Sequence, residues 1–136
     1  MIQLTENYVV GSKAPLFLEV YDPSNQPMIG LHPTVTLTRL DDGFYWDYQA
    51  NQFKAPVGNI KAPLIELDLP GRYQRIFDQS IDAVNRVYKA EYFVESPKYG
   101  SIEVTMVFGP ATINIIPLHI IVRPPKLVTL ITKKLP

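Results

Sequence analysis

The stretch RVYKAEYFVESPKYGSIEVTMVF, residues 86–108, decides the fold class of this chain. Apolar residues recur at every second position in both halves of the stretch, at positions 88–94 and again at 102–108. A period of two is typical of β-strands that bury one face. The segment Ser96–Gly100 between the halves is rich in turn-forming residues. The stretch therefore predicts two strands separated by a turn.

The same alternation extends towards the N-terminus. Further strands are predicted at Leu16–Tyr21, Thr34–Leu40, Phe44–Asp47, Ile65–Leu69 and Tyr73–Asp78, with turn signals at Asp22–Asn25, Asp41–Gly43 and Pro70–Gly71. In Ile65–Leu69 the leucines and the isoleucine are expected on the half-buried face. Thirteen prolines disfavour long helices, and only Gln79–Asn85 is a short helix candidate. About seven strands at this spacing predict an all-β fold, an immunoglobulin-like antiparallel β-sandwich.

Size and composition exclude several classes of protein. The chain has 136 residues with 46% hydrophobic content, which fits one domain with a real core. Thirteen basic and thirteen acidic residues give a net charge of zero, so a nucleic-acid partner is not expected. There is no cysteine, no signal peptide and no apolar run of roughly 20 residues. Synthesis in a host cytoplasm and no membrane contact are expected.

Three segments are predicted: an N-terminal segment at 1–14, the sandwich at 15–108 and a proline-rich extended C-terminal strand or arm at 109–136. The last segment carries Leu127–Lys134, which is apolar and β-prone. One interpretation is a final strand that pairs within its own sandwich. The other, which we favour, is an arm that pairs with a neighbouring subunit, since Pro124-Pro125 forms a stiff spacer before it.

Residues that could carry catalysis are sparse. His32 and His119 are far apart in sequence, and neither has an identifiable acid-base partner. Asp41, Asp42 and Asp47 are too few for a calcium loop and are interpreted as turn residues. Nucleophile-elbow, phosphate-loop and zinc-helix motifs do not occur. We therefore predict a protein that is not an enzyme and that has no cofactor or metal.

The aromatic cluster Phe44, Tyr45, Trp46 and Tyr48 is the clearest candidate for a binding surface. Neighbouring residues of a strand point to opposite faces, so part of the cluster must lie outside the core unless both faces are covered. Three interpretations stay open: a core anchor with edge packing, a subunit contact, or a platform on which a sugar ring stacks.

Two local patterns resemble a known family. One is VYDPSNQP at residues 20–27 followed by PTVTLTRLDDGFYW at 33–46, and the other is LPGRY at 69–73 followed by VYKAEY at 87–92. Together they resemble immunoglobulin-like or macroglobulin-like β-sandwich modules in structural proteins of tailed-bacteriophage virions, over roughly residues 15–95. The chain departs from antibody domains in lacking their cysteine pair. The resemblance implies attachment to a virion, as capsid decoration or as a neck or tail accessory, with no catalytic residues.

We therefore expect a non-enzymatic structural protein of a bacteriophage virion that binds other virion proteins, or copies of itself, by strand pairing and apolar contacts. The predicted contact residues are Tyr45, Trp46, Tyr48, Leu127, Val128, Leu130 and Ile131. The alternative is a β-sandwich module that binds carbohydrate or another ligand through Trp46 and nearby tyrosines. Aromatic residues gathered on one exposed face with polar neighbours would favour that alternative.

Overall fold

The computed structural model describes residues 2–8, 13–55, 60–78, 86–110, 115–123 and 127–134. In these ranges the regular secondary structure consists of β-strands alone, and the strands form two packed sheets. The predicted all-β sandwich is therefore confirmed. A search of the same ranges for a helix long and apolar enough to span a bilayer finds none. The helix candidate Gln79–Asn85 lies outside the described residues.

The first sheet contains the stretch from which the fold was predicted. Its path, from edge to edge, is β1 (Ile2–Tyr8), β10 (Gly100–Pro110), β9 (Tyr88–Ser96), β3 (Thr34–Arg39), β4 (Tyr45–Asp47) and β5 (Gln52–Lys54), and β6 (Ala62–Pro63) also pairs with β3. Strands β9 and β10 form a hairpin from Tyr88 opposite Phe108 to Ser96 opposite Gly100. Strand β3 pairs antiparallel with the other edge of β9, so the centre of this sheet is antiparallel.

The second sheet has the order β12 (Leu127–Lys134), β11 (Ile115–Arg123), β2 (Lys13–Val20), β8 (Arg72–Asp78) and β7 (Ile65–Glu66). Strands β11 and β12 are antiparallel, as are β2 and β8. Within the C-terminal segment, β12 therefore has a partner strand in its own chain. The favoured interpretation, an arm that pairs with a neighbouring subunit, stays a prediction and now concerns the other edge of β12.

Two pairings are parallel, which the antiparallel prediction did not include. Strand β1 runs parallel to β10, and β11 runs parallel to β2. Parallel neighbours need a crossover between them, and both pairs join strands that are far apart along the chain. Strand β10 also continues past the predicted boundary at residue 108, and β11 and β12 complete the second sheet. Twelve strands are described, where about seven were predicted; four of them have only two or three residues.

The core lies between the two sheets and follows the period-two pattern. In β9 the buried positions alternate with half-buried or exposed ones along the whole strand. The first sheet contributes Val35, Leu37, Trp46, Tyr88, Ala90, Tyr92, Val94, Ile102, Val104 and Met106, and the second contributes Leu16, Leu18, Val20, Tyr73, Phe77, Ile120 and Val122. Burial of these side chains is the main favourable contribution to folding.

Four aromatic rings join the sheets at one end of this core. Phe77 of β8 is fully buried, and its ring centroid lies 5.1 Å from that of Tyr88 and 5.4 Å from that of Trp46, both in edge-on geometry. Phe53 of β5 completes the group at 5.9 Å from Phe77. Edge-on pairs at these separations add roughly 0.5–1.5 kcal/mol each beyond the area they bury.

The strand predicted at Ile65–Leu69 is shorter in the structure, and its apolar residues are not buried as predicted. Only Ile65–Glu66 is a strand, and Ile65, Leu67 and Leu69 are 60%, 36% and 55% exposed. The neighbouring core residues are instead Ala62 and Leu64. An alternating sequence shows that the two faces of a strand differ in polarity, but it does not show that the apolar face packs against a core. This segment runs along the margin of the second sheet.

The predicted turn at Asp22–Asn25 is present and is stabilised by hydrogen bonds within the turn. The Asp22 carboxylate accepts hydrogen bonds from the backbone N–H groups of Ser24 and Gln26, both at 2.9 Å. The Gln26 bond is the main reason that the pKa of Asp22 lies below its ordinary value. Asn25 has φ of 65°, in the left-handed region that asparagine tolerates.

Candidate functional site

Trp46 was predicted as a contact residue and is a core residue. Its side chain is 3% exposed and packs against Phe77 at the end of the sandwich. Its indole N–H donates to the Asn51 side chain at 3.4 Å. The ring is therefore packed in the core, and the contact and sugar-stacking roles of Trp46 stay predictions with no exposed ring surface to support them.

The two tyrosines beside Trp46 have different surroundings. Tyr45 is opposite Thr38 in register and lies half-buried on the outer face of the first sheet. Tyr48 packs against the margin of the core, and the Arg75 guanidinium lies 4.9 Å above its ring. Arg75 also donates two hydrogen bonds to the Pro63 carbonyl. Tyr45 therefore remains available for binding, whereas Tyr48 is engaged within the domain.

The four predicted contact residues of the tail all lie on β12. Val128 and Leu130 are opposite Val122 and Ile120 in register, and those two partners are buried. Leu127 and Ile131 are opposite Arg123 and His119 in register. The side chains of β12 lie outside the described residues. Among the described residues, β12 pairs with β11 alone.

The outer face of the second sheet mixes apolar positions with one charged network. Phe17 and Ile121 are half-buried there, and Ile76 is 43% exposed. Glu19 of β2 is only 5% exposed, accepts a hydrogen bond from the Tyr21 hydroxyl and pairs with Arg72 at 2.6 Å. The ion pair fixes these side chains firmly, because removing Arg72 would take an opposite charge away from a buried carboxylate.

Asp41, Asp42 and Asp47 act as turn residues, as the sequence analysis interpreted them. Asp42 accepts a hydrogen bond from the Phe44 N–H at 3.0 Å and forms a two-point ion pair with Arg39. Asp47 accepts from the N–H groups of the following turn and pairs with a lysine of β5. Arg39 also lies over the rings of Phe44 and Phe53, at 5.3 and 4.7 Å. These ion pairs, hydrogen bonds and ring contacts stabilise the turns at one end of the sandwich.

The Asp42 ion pair makes a testable contribution to stability. The Arg39 hydrogen bonds hold the pKa of Asp42 below its ordinary value of 3.8. A lowered pKa in the folded state stabilises the protein above the ordinary value, and this contribution is lost as the pH falls through the folded value. Asp42→Asn is therefore expected to lower the free energy of unfolding by about 0.5–1 kcal/mol at neutral pH. The difference from the parent should shrink below pH 3.8.

Urea unfolding at several pH values measures this effect. Asp68→Asn is the control, because it removes the same charge from an exposed carboxylate with no ion pair among the described residues. A difference between parent and Asp42→Asn that stays constant down to low pH would contradict the assignment.

A groove runs across the outer face of the first sheet. Side chains of β3, β9 and β10 form its floor, and the register between these strands aligns them in rows. One row across the sheet is Thr36, Glu91 and Thr105, and the next is Thr34, Phe93 and Glu103. Tyr45 and Lys61 line it from beyond β3. This part of the groove has a volume of about 200 Å³. Thr36 and Thr105 are 9% and 4% exposed, so their hydroxyl groups lie at the bottom.

The groove continues towards the loop before β3. Its wider part, about 590 Å³, is lined by Gly30, Leu31, His32, Thr34, Lys61, Phe93, Glu95 and Pro97. Thr34, Lys61 and Phe93 therefore belong to both parts. The Lys61 ammonium lies 5.4 Å from the centroid of the Phe93 ring.

The second sheet holds the loop that forms the wall of the wider part. The Tyr73 hydroxyl donates to the Met28 carbonyl at 2.6 Å and accepts from the Leu31 N–H at 3.2 Å. Glu66 accepts a hydrogen bond from the Gly30 N–H. Burial raises the pKa of Tyr73, so this hydroxyl keeps its proton. The wall of the groove is therefore fixed before any ligand binds.

The two histidines are not brought together. His32 is exposed and lines the wider part of the groove. His119 lies on β11 opposite Ile131 in register, and its side chain is outside the described residues. In the described part of the chain, no group of three or more histidine, cysteine, aspartate and glutamate residues is placed to hold a metal ion.

Sequence reasoning missed the groove. The alternating pattern puts Glu91, Phe93 and Glu103 on the strand faces opposite to the recurring apolar residues at 88–94 and 102–108, but it does not bring them together. The one signal in the sequence was the threonine-rich face of β3 together with the outward phenylalanine in β9, but the rows of the groove depend on registers between distant strands.

Comparisons with protein-family models, with curated proteins and with solved structures find no match.

Proposed function

We propose that this protein is a non-enzymatic structural subunit of a bacteriophage virion, and that it binds neighbouring subunits, copies of itself included, by adding a strand at the outer edge of β12. The open edge of β12 is the observation on which this binding mode depends. A strand with one unpaired edge presents a row of free N–H and C=O groups to which another strand can pair.

The strands at the ends of the two sheet paths, β1, β5, β7 and β12, differ in how they are protected, and β6 beside β3 is a two-residue strand that contains a proline. β5 and β7 have only three and two residues, and each contains a charged residue. β1 is longer but carries Glu6. β12 has eight residues, of which the first six, Leu127–Thr132, contain neither charge nor proline. Natural proteins protect non-binding edges by shortness, charge or proline, so β12 is the edge best suited to pairing.

The surface next to β12 also suits a protein contact. On the outer face of the second sheet, Phe17, Ile121 and Ile76 present apolar surface, and Ile65 of β7 is 60% exposed at the far margin. The outer face of the first sheet combines threonine and glutamate with the aromatic residues Tyr45 and Phe93. Apolar surface beside an open edge allows main-chain hydrogen bonds and apolar burial to act together.

The virion setting has separate support. Residues 15–95 resemble modules of tailed-bacteriophage virion proteins, and a net charge of zero gives weak electrostatic opposition to self-association. Main-chain pairing and apolar burial require no catalytic group, which agrees with a structural role.

A single charge in the middle of β12 tests the binding mode. Thr129 is opposite Ile121 in register, and Ile121 is not a core residue, so Thr129→Lys adds a charge in the middle of the edge at a register position outside the core. The parent chain is expected to form oligomers whose mass, measured by light scattering, rises with concentration. Thr129→Lys is expected to weaken the association constant at least roughly tenfold, or about 1.4 kcal/mol.

Val87→Lys is the matched control, since Val87 is 40% exposed and lies before β9, away from the second sheet. It adds the same charge and should leave the oligomer mass unchanged. A parent that stays monomeric, or an oligomer that both lysine variants weaken equally, would contradict self-association through β12.

A further inference from the structure

We infer that the groove on the outer face of the first sheet binds a neutral saccharide, with Phe93 as the stacking ring. The groove is the surface formed by Thr34, Thr36, Tyr45, Lys61, Phe93 and Glu103 together with their neighbours in the two rows. It lies on the opposite sheet from β12. The inference therefore stands or falls independently of the proposed assembly role.

The groove presents hydrogen-bonding groups of both kinds around an aromatic ring. Glu91 and Glu103 supply carboxylate acceptors, Lys61 supplies a donor, and Thr34, Thr36 and Tyr45 supply hydroxyl groups that do both. A sugar ring has an apolar C–H face and a rim of hydroxyl groups that donate and accept. Binding sites of this kind combine an apolar surface with a few placed polar groups that fix the ligand's orientation.

Several of these groups are free to bind. The Glu103 carboxylate and the Tyr45 hydroxyl have no hydrogen-bond or ion-pair partner among the described residues. Glu91 has one weak contact, 3.5 Å from the Lys89 ammonium, and its side chain is 44% exposed. A ligand hydroxyl can therefore meet these acceptors without first breaking a strong protein contact, which limits the cost of desolvation.

The charges oppose an anionic ligand. Glu91 and Glu103 line the narrow part and Glu95 the wider part, so an anion would be repelled by three carboxylates. Any ligand that stacks on Phe93 must displace the Lys61 ammonium, which lies 5.4 Å from the ring centroid. A sugar can accept a hydrogen bond from the displaced ammonium while its other hydroxyl groups donate to the carboxylates, so both charged partners stay in use.

The shape indicates a chain of sugars rather than one. The narrow and wide parts share Thr34, Lys61 and Phe93, so a ligand seated on Phe93 can extend both ways. The wall at Gly30 and Leu31 is held in place by Tyr73 and Glu66, so little ordering is required on binding. The groove is shallow, which predicts dissociation constants near the millimolar range, as expected for a small number of contacts.

Titration by ¹H–¹⁵N NMR tests the inference on the full chain. The probes are linear oligosaccharides of glucose, of galactose and of N-acetylglucosamine, with a lysine-rich peptide as the competing class. At least one oligosaccharide should shift the amides of residues 34–36, 61, 91–93 and 103–105, while the amides of β12 stay unchanged. Phe93→Ala should weaken that binding at least roughly tenfold, and Glu103→Gln by a few-fold.

Val87→Ala is the matched control, because Val87 is exposed outside the groove. Glu103→Gln conserves shape and should leave the unfolding midpoint unchanged, so it keeps the test valid if Phe93→Ala is destabilised. The inference is overturned if none of the oligosaccharides shifts the groove amides at about 10 mM, well above the expected dissociation constants. It is overturned equally if the shifts survive both groove variants, or if the peptide binds there more tightly than every sugar.

Discussion

Phe77→Ala is expected to lower the free energy of unfolding by about 3–5 kcal/mol, the usual cost of removing a fully buried aromatic ring. Phe77 is 0% exposed, and its ring contacts the rings of Trp46, Phe53 and Tyr88 in the first sheet. Its removal leaves a cavity where the two sheets meet. A loss of this size is a large part of the stability of a typical small domain.

Urea unfolding followed by circular dichroism measures this effect. Ile76→Ala is the matched control, since Ile76 is the adjacent residue of β8 but is 43% exposed on the outer face. It should cost less than about 1 kcal/mol. Equal losses in the two variants would contradict the assignment of Phe77 to the core and of Ile76 to the surface.

Gly71→Ala is expected to lower the free energy of unfolding by about 2–4 kcal/mol through backbone strain combined with steric conflict. Gly71 has φ of +77°, and a Cβ atom there would lie 2.9 Å from both the Val20 carbonyl oxygen and Pro27 Cβ. The Val20 carbonyl cannot withdraw freely, because it accepts a hydrogen bond from the Met28 N–H at 2.9 Å.

Gly100→Ala separates the two causes. Gly100 has a similar φ of +81°, but a Cβ atom there would meet nothing within 4 Å. It should therefore cost only the conformational term, about 1–2 kcal/mol. The prediction for Gly71 fails if thermal or urea unfolding gives the two alanine variants the same loss.

The parts of the fold that the sequence predicted well are those with a local cause. β9 and β10 were predicted because each alternates along its own length, and the burial of Tyr88–Val94 follows that alternation, as does that of Ile102–Met106 except at Thr105, which is also buried. The turn at Asp22 was predicted because an aspartate side chain bonds to backbone groups only two and four residues away. Such features need no knowledge of distant strands.

The features that the sequence did not predict depend on long-range pairing. The alternation in FYWD does not say which of Tyr45 and Trp46 faces the core, and the answer depends on the pairing of β4 with β3. Ile65–Leu69 alternates as regularly as β9, but within the described part of the chain its short strand pairs with β8 alone. The parallel pair of β1 with β10 joins residues about a hundred positions apart, which no local pattern shows.

The candidate groove also depends on long-range strand pairing. Thr36, Glu91 and Thr105 form one row only because β3, β9 and β10 pair in one particular register. A shift of one residue in any strand would turn the opposite set of side chains outwards. The sequence therefore identified outer positions on each strand but not the site that they form together.

Hydrogen exchange of the β12 amides, followed as the protein concentration rises, tests the proposed assembly most directly. An edge strand has N–H groups that alternate between its partner and solvent. Dilute protein should therefore show fast and slow amides in alternation along Leu127–Thr132. At concentrations where light scattering reports oligomers, every amide in this segment should be slow. Alternation that persists in the assembled protein, or a chain that stays monomeric with its alternation intact, would contradict strand addition at β12.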